Sequence, residues 1–168
     1  KKESSTKKKS IINSQRLTEK PKIPVLEFSS YAWGKLLWFR DKGENNGAGH
    51  EIGGYGITLP ESPLSIIDFV TIKQDVSSTL TSFQEDAIMQ HLEDMFENGI
   101  SPRNCARVWI HTHPGGMGAT PSSTDESTFQ TAFGGADWAV MFILNQTGQT
   151  TTRLRFKEPL FDNEISCA

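Results

Sequence analysis

Cysteine is nearly absent from this chain of 168 residues: only Cys105 and Cys167 occur, one inside an apolar run and the other next to the last residue. That scarcity excludes a disulfide framework as the organising device, leaving Cys105 as a small buried hydrophobe and Cys167 as an exposed tail residue. Long apolar runs are missing as well. No stretch approaches the roughly 20 residues that a membrane helix needs, and the first residues carry no apolar leader core, so the expectation is a cytoplasmic protein with no membrane partner. Large apolar side chains are also sparse in residues 1–24, which hold eight Lys or Arg against Glu3 and Glu19, whereas the remainder has a net charge of −9. We read 1–24 as a flexible basic arm or linker and 25–168 as one acidic domain, long enough to bury a single core. Nucleic acid is not an expected partner, because the basic run lacks aromatics and the acidic body behind it repels phosphate.

What is present is a succession of short periodic segments. SSYAWGKLLWF (29–39) spaces Ala32, Leu36 and Leu37 as a helix does, with Ser29 or Ser30 as its cap, and DKGENNGAGH (41–50) comes next as a turn-rich break. EIGGYGITL and SIIDFVTIKQDV read as two strands of a hairpin around the turn at Pro60 to Pro63. Residues 82–98 predict a helix whose apolar stripe is Phe83, Ala87, Ile88, Leu92, Met95 and Phe96, capped by Ser82 and ended by Gly99. His91 lies beside that stripe as a packing or surface residue. CARVWI is a short strand, TDESTFQTAF a capped helix, and DWAVMFILNQ with TTTRLRFKE a closing hairpin. Helices alternate with strands and hairpins, so the fold class is α/β or α+β with a mixed sheet.

The chemistry is concentrated in HTHPGGMGATPSSTDE, residues 111–126. Side chains at i and i+2 of a strand share a face, so His111 and His113 can aim both rings at one point. Burying two imidazoles needs two hydrogen-bond partners, and a metal ion satisfies both at once. Pro114, Gly115 and Gly116 break the strand, after which Asp125 falls in the first turn of the next helix as a third ligand. Two imidazoles and a carboxylate with a fourth position left for water suit a catalytic zinc, though iron, manganese or cobalt also accept such donors. The water needs a base that is not a ligand. Glu51 is the carboxylate set apart from solvated helix faces: it precedes Gly53 and Gly54, where another backbone can approach closely.

Glu51 before the glycine pair, H-x-H-P at 111–114 and S-x-x-D at 122–125 together resemble the JAMM motif of the MPN/JAB-domain metalloproteases, over roughly residues 28–157. Eight residues, Pro114 to Pro121, separate His113 from Ser122, one more than is usual in that family, and the addition falls in the glycine-rich turn. The resemblance implies an MPN/JAB-like, cytidine-deaminase-like domain with a mixed, curved sheet flanked by helices. It implies His111, His113 and Asp125 as Zn2+ ligands, Glu51 as general acid/base and Ser122 as the donor that stabilises the oxyanion.

The activity implied is that of an isopeptidase cutting after the C-terminal tail of ubiquitin or a ubiquitin-like modifier, with Tyr55 as a substrate contact or, equally, a core residue. The compact length is similar to that of prokaryotic members, some of which work beside E1-like and E2-like partners. Two other outcomes belong to the same resemblance: an inactive MPN scaffold that binds proteins, and a JAB peptidase acting on a different carrier-protein conjugate. Cupins, which also carry H-x-H, expect a glutamate where Gly116, Met117 and Gly118 stand, and the H-x-H-x-D-H of metallo-β-lactamase-like hydrolases is not completed by HTHPGG.

Overall fold

The computed structural model describes residues 23–45, 49–76, 81–158 and 160–168. The basic arm therefore lies outside the described residues apart from Ile23 and Pro24. Strand β1 (Val25–Phe28) leads into helix α1 (Ser30–Asn45), then β2 (Gly53–Leu59) and β3 (Ser62–Thr71). A two-stranded ribbon, β4 (Gln74–Val76) and β5 (Thr81–Phe83), precedes α2 (Glu85–Glu97) and the single turn α3 (Pro102–Cys105). Strand β6 (Val108–His113), α4 (Ser123–Phe133), β7 (Trp138–Asn145), β8 (Thr150–Phe156), β9 (Phe161–Glu164) and β10 (Ser166–Cys167) complete the order. The architecture is mixed α/β. Eight strands form one sheet in the order β10-β1-β3-β2-β6-β7-β8-β9.

The last eight residues nearly close that sheet. β9 pairs antiparallel with β8 at one edge and β10 pairs parallel with β1 at the other, while Ile165 N–H donates to Thr152 C=O at 2.9 Å between them. Cys167 is consequently half-buried against Leu26 in the β1–β10 register, which corrects the expectation of an exposed tail; Cys105 is fully buried, as expected. Among the described residues no helix is long and apolar enough to cross a membrane.

Strand alternation divides the interior in two. Val108 and Ile110 of β6, with Val140, Phe142 and Leu144 of β7, face the core beneath α1, where Ala32 and Leu36 are fully buried. Trp109, Ala139, Met141 and Ile143 point to the opposite core and pack with Tyr55 and with Phe129 and Phe133 of α4. Burying each of those phenylalanines is worth about 1.5–3 kcal/mol, which anchors α4 across the sheet. Because β6 and β7 are covered on both faces, every residue of both is buried, and β7 reads as a continuous apolar run rather than an alternating one. They are parallel neighbours joined through α4, whereas β2 runs antiparallel to β6 on its other side.

Three local expectations are corrected. Helix α1 does not stop at Asp41 but continues through the DKGEN segment, and Gly43 in its last turn lies against the chain entering the site: a Cβ there would meet His50 C=O at 2.7 Å. Ser82 belongs to β5, so Gln84 takes the N-cap of α2; at the other end Gly99, at φ +75°, closes the helix with two backbone bonds, Gly99 N–H to Phe96 C=O and Ile100 N–H to Met95 C=O. Phe96 is 76% exposed rather than part of the buried stripe. It sits about 140° around the helix from His91, the buried residue of α2.

A candidate metal centre at the end of strand β6

His111 and His113 stand at the C-terminal end of β6 on the face that packs against α4. His111 is fully buried, with its ring stacked on Trp109 at 4.4 Å between centroids. His113 Nδ1 lies 2.7 Å from Gly118 C=O. A carbonyl only accepts, so Nδ1 carries a proton, and in the neutral ring the Nε2 lone pair is left facing the cleft. The loop between β6 and α4 therefore fixes the tautomer of the second histidine.

Asp125 reaches the same point from α4. Ser122 is the N-cap, and the Ser-x-x-Asp spacing closes a reciprocal capping box: Asp125 N–H donates to Ser122 Oγ at 3.1 Å, and Ser122 N–H donates to Asp125 Oδ2 at 2.7 Å. The box immobilises the carboxylate at the positive end of the helix. Asp125 Oδ1 lies 3.1 Å from His111 Nε2, and Oδ2 lies 3.5 Å from His113 Nε2. One ligand atom from each of the three residues lies within 4.8 Å of the others.

Glu51 enters from the far side of the sequence. It is 4% exposed, and its Oε1 lies 3.9 Å from His113 Nε2. Strand β2 begins two residues later, and its antiparallel register with β6 places Gly53 opposite His111. The intervening backbone is held on both flanks. Ile52 N–H donates to Thr112 Oγ1 at 3.0 Å and Ile52 C=O accepts from Thr112 N–H at 2.9 Å. The Gln74 amide accepts from Gly53 N–H at 2.7 Å and donates to Gly53 C=O at 3.0 Å, continuing on the β3 side a ladder whose strand pairing begins at Gly54. Gly54 is the close approach foreseen for the glycine pair: a Cβ there would meet Val70 C=O at 2.3 Å.

The electrostatics fit a cation. Burial pushes His111 down from the usual imidazole range, more than its contact with Asp125 raises it, so the ring is held neutral. Burial also pulls on His113, but the contact with Asp125, the Gly118 carbonyl and Glu51 together outweigh it, and the net shift is upward. Burial acts on Asp125 in the raising direction, yet the two imidazoles and the Ser122 N–H hold its carboxyl far below the usual carboxylate range. It is therefore an ionised acceptor. The Nε2 atoms of both histidines are buried and make no well-aligned hydrogen bond among the described residues. Two orphaned imidazole nitrogens converging on a carboxylate form a donor set that can hold a metal ion.

Tyr55 takes the packing side of its two alternatives in position: it is 6% exposed, stacked on His91 and tilted against Phe83, and burial pushes its hydroxyl up to about 12. His91 is a packing residue, donating from Nε2 to Cys105 C=O at 3.0 Å. Residues that the sequence reasoning missed are Thr112, Gln74 and Asn145. They carry no motif, and their roles arise from backbone groups of distant segments. For Asn145 one signal was present, a polar residue closing the apolar run WAVMFIL.

Fold and site together define a mixed α/β domain with a buried, metal-competent His-His-Asp cluster and a neighbouring glutamate. The chain matches no protein-family model, and a search of the curated proteins gives no match either.

Proposed function

We propose that this chain is a JAMM-type zinc metalloprotease with an MPN-like fold, an isopeptidase that cleaves after the C-terminal tail of ubiquitin or a ubiquitin-like modifier. The observation that carries the reading is the convergence of His111, His113 and Asp125 within 4.8 Å, with Glu51 Oε1 3.9 Å from His113 Nε2 beside that cluster. Three protein ligands of the N, N, O type are the set expected of a catalytic rather than a structural zinc. A divalent ion held there supplies Lewis acidity toward a scissile carbonyl and brings the pKa of water to about 7. Glu51 accepts the proton from attacking water and returns it to the departing amine, a task that suits a buried carboxylate beside, but outside, the ligand set. Ser122 Oγ already accepts from Asp125 N–H, which leaves its own proton to donate to the carbonyl oxygen as negative charge develops there.

The test is incubation of the zinc-loaded protein with a panel of ubiquitin and ubiquitin-like fusions, with and without a strong chelator, read by intact mass. Cleavage at the modifier's C-terminus, lost with chelator and restored by zinc, is the expected result. If the loaded protein cleaves no member of the panel, the isopeptidase assignment fails; if cleavage survives the chelator, the metal mechanism fails.

A further inference from the structure

We infer that Asn145 is a positioning residue for the metal centre, acting through the loop that sets the tautomer of His113. The inference rests on the metal-site reading above for its purpose, and on independent geometry for its mechanism. Asn145 closes β7 and stands opposite His113 in the parallel β6–β7 register. It is 2% exposed, and each polar atom of its side chain is used. Oδ1 accepts from Thr147 N–H, Thr147 Oγ1 and Gln149 N–H at 3.1, 2.9 and 2.8 Å, which ties the β7–β8 turn to it. Nδ2 donates one proton to Gln149 Oε1 at 2.9 Å and the other to Met117 C=O at 3.1 Å.

The second of those donations matters for the site. Met117 and Gly118 are adjacent, and the Gly118 carbonyl is the acceptor for His113 Nδ1–H. The surrounding loop, Pro114 to Pro121, is rich in glycine: Gly115 has φ +57°, and at Gly115 and Gly116 a Cβ would meet nothing within 4 Å. Such a segment has many accessible backbone states, and a bond from a buried side chain at the end of a central strand selects one of them. With Met117 C=O pinned, the next carbonyl is aimed at His113, the proton stays on Nδ1, and Nε2 keeps its lone pair toward Asp125. Without the pin, the Gly118 carbonyl drifts and the ring is free to carry its proton on Nε2, the nitrogen that a metal needs bare.

The test reads the ring directly, in the metal-free protein. Imidazole 15N chemical shifts at a pH where the ring is neutral should show His113 as the Nδ1–H tautomer in the unsubstituted chain. Asn145→Asp keeps the oxygen that accepts from Thr147 and Gln149 but loses the donation to Met117, and the neutral Asn145→Ser loses it without adding charge. Both should give mixed tautomers. Thr147→Val, which removes one bond of the turn and leaves the Met117 contact alone, should not. Zn2+ affinity, measured by competition with a chromophoric chelator, should fall at least about ten-fold in Asn145→Ser and stay unchanged in Thr147→Val. An Nε2–H ring in the unsubstituted chain overturns the inference even if both Asn145 variants fail to fold. So does a pure Nδ1–H ring in both variants. If the unsubstituted chain binds no Zn2+ while the tautomers shift as stated, the zinc reading fails and the positioning role stands.

Discussion

Glu51 and Ser122 lie beside the His-His-Asp cluster and carry different proposed roles, which substitution separates. Glu51→Gln preserves size while removing the proton acceptor, so zinc content by elemental analysis should be unchanged and turnover should fall by about 10²–10⁴. A variant that still turns over at the original rate would remove Glu51 from its assigned role. Ser122 has two functions, helix cap and proposed oxyanion donor, which the usual alanine change confounds. Glycine is nearly as good an N-cap, costing only a few tenths of a kcal/mol, so Ser122→Gly should leave the urea midpoint almost in place. Its kcat should nevertheless drop by about 10²–10³, the cost of losing one oxyanion donor. Much at this scale was legible in the chain. H-x-H on a strand and S-x-x-D at a helix start are local patterns whose geometry is set by backbone periodicity alone, and the structure reproduces both, down to the capping box. The contacts of Asn145 and Gln74 were not legible, because each satisfies backbone groups of segments that approach only after folding.

The elements of the site are β2, β6 and α4, and each is held by something outside itself. Helix α4 is tied to β8 by two arginines spaced two apart on the strand, reaching two residues spaced four apart on the helix: Arg153 to Glu126 and Arg155 to Gln130. Arg153 also engages Asp162 of β9 with its Nε and Nη2. Strand β2 depends instead on the absence of a side chain. Gly54→Ala places a Cβ 2.3 Å from Val70 C=O and 2.7 Å from the Phe69 ring, and the backbone carbonyl cannot yield without parting β2 from β3. Overpacking of that kind costs about 1–3 kcal/mol, read as a lowered chemical-denaturation midpoint. A midpoint equal to that of the parent would mean the two strands are less tightly opposed than they are here. The type of the longer elements was readable from periodicity, whereas boundaries were not: α1 runs on through a glycine and three charged residues because its last turn packs against the backbone at His50, a contact that overrides local breaker signals.

On the scale of the whole molecule, the His-His-Asp cluster joins the middle of the sheet to the helix that crosses it, so binding of an ion there would be linked to folding. An ion that binds the folded chain and not the unfolded one adds about 2.7 kcal/mol at a free concentration 100 times its Kd. Zn2+ should therefore raise the melting temperature by several degrees, chelator should reverse the gain, and Asp125→Ala should abolish it. Absence of any shift in the unsubstituted chain at saturating zinc would argue against the site. The ion would bridge residues from two separate segments, β6 and α4, and Glu51 beside them stands sixty positions before His111 in the chain.

That separation marks the boundary between chain and fold. By itself the sequence determined the features that backbone periods of 2 and 3.6 dictate: the type of the longer periodic segments, that His111 and His113 share a face, and that Asp125 is fixed in a first helical turn by Ser122; the short elements β1, α3, β9 and β10 were not foreseen. Only the tertiary structure decided that Glu51 stands 3.9 Å from His113, that the Gly118 carbonyl meets His113 Nδ1 while Asn145 holds the neighbouring Met117 carbonyl, and that residues 161–168 bridge both edges of the sheet. Those facts depend on strand order and register, which are selected by the summed burial of two cores and by the pairing of backbone groups far apart in the chain. No short stretch of residues encodes them.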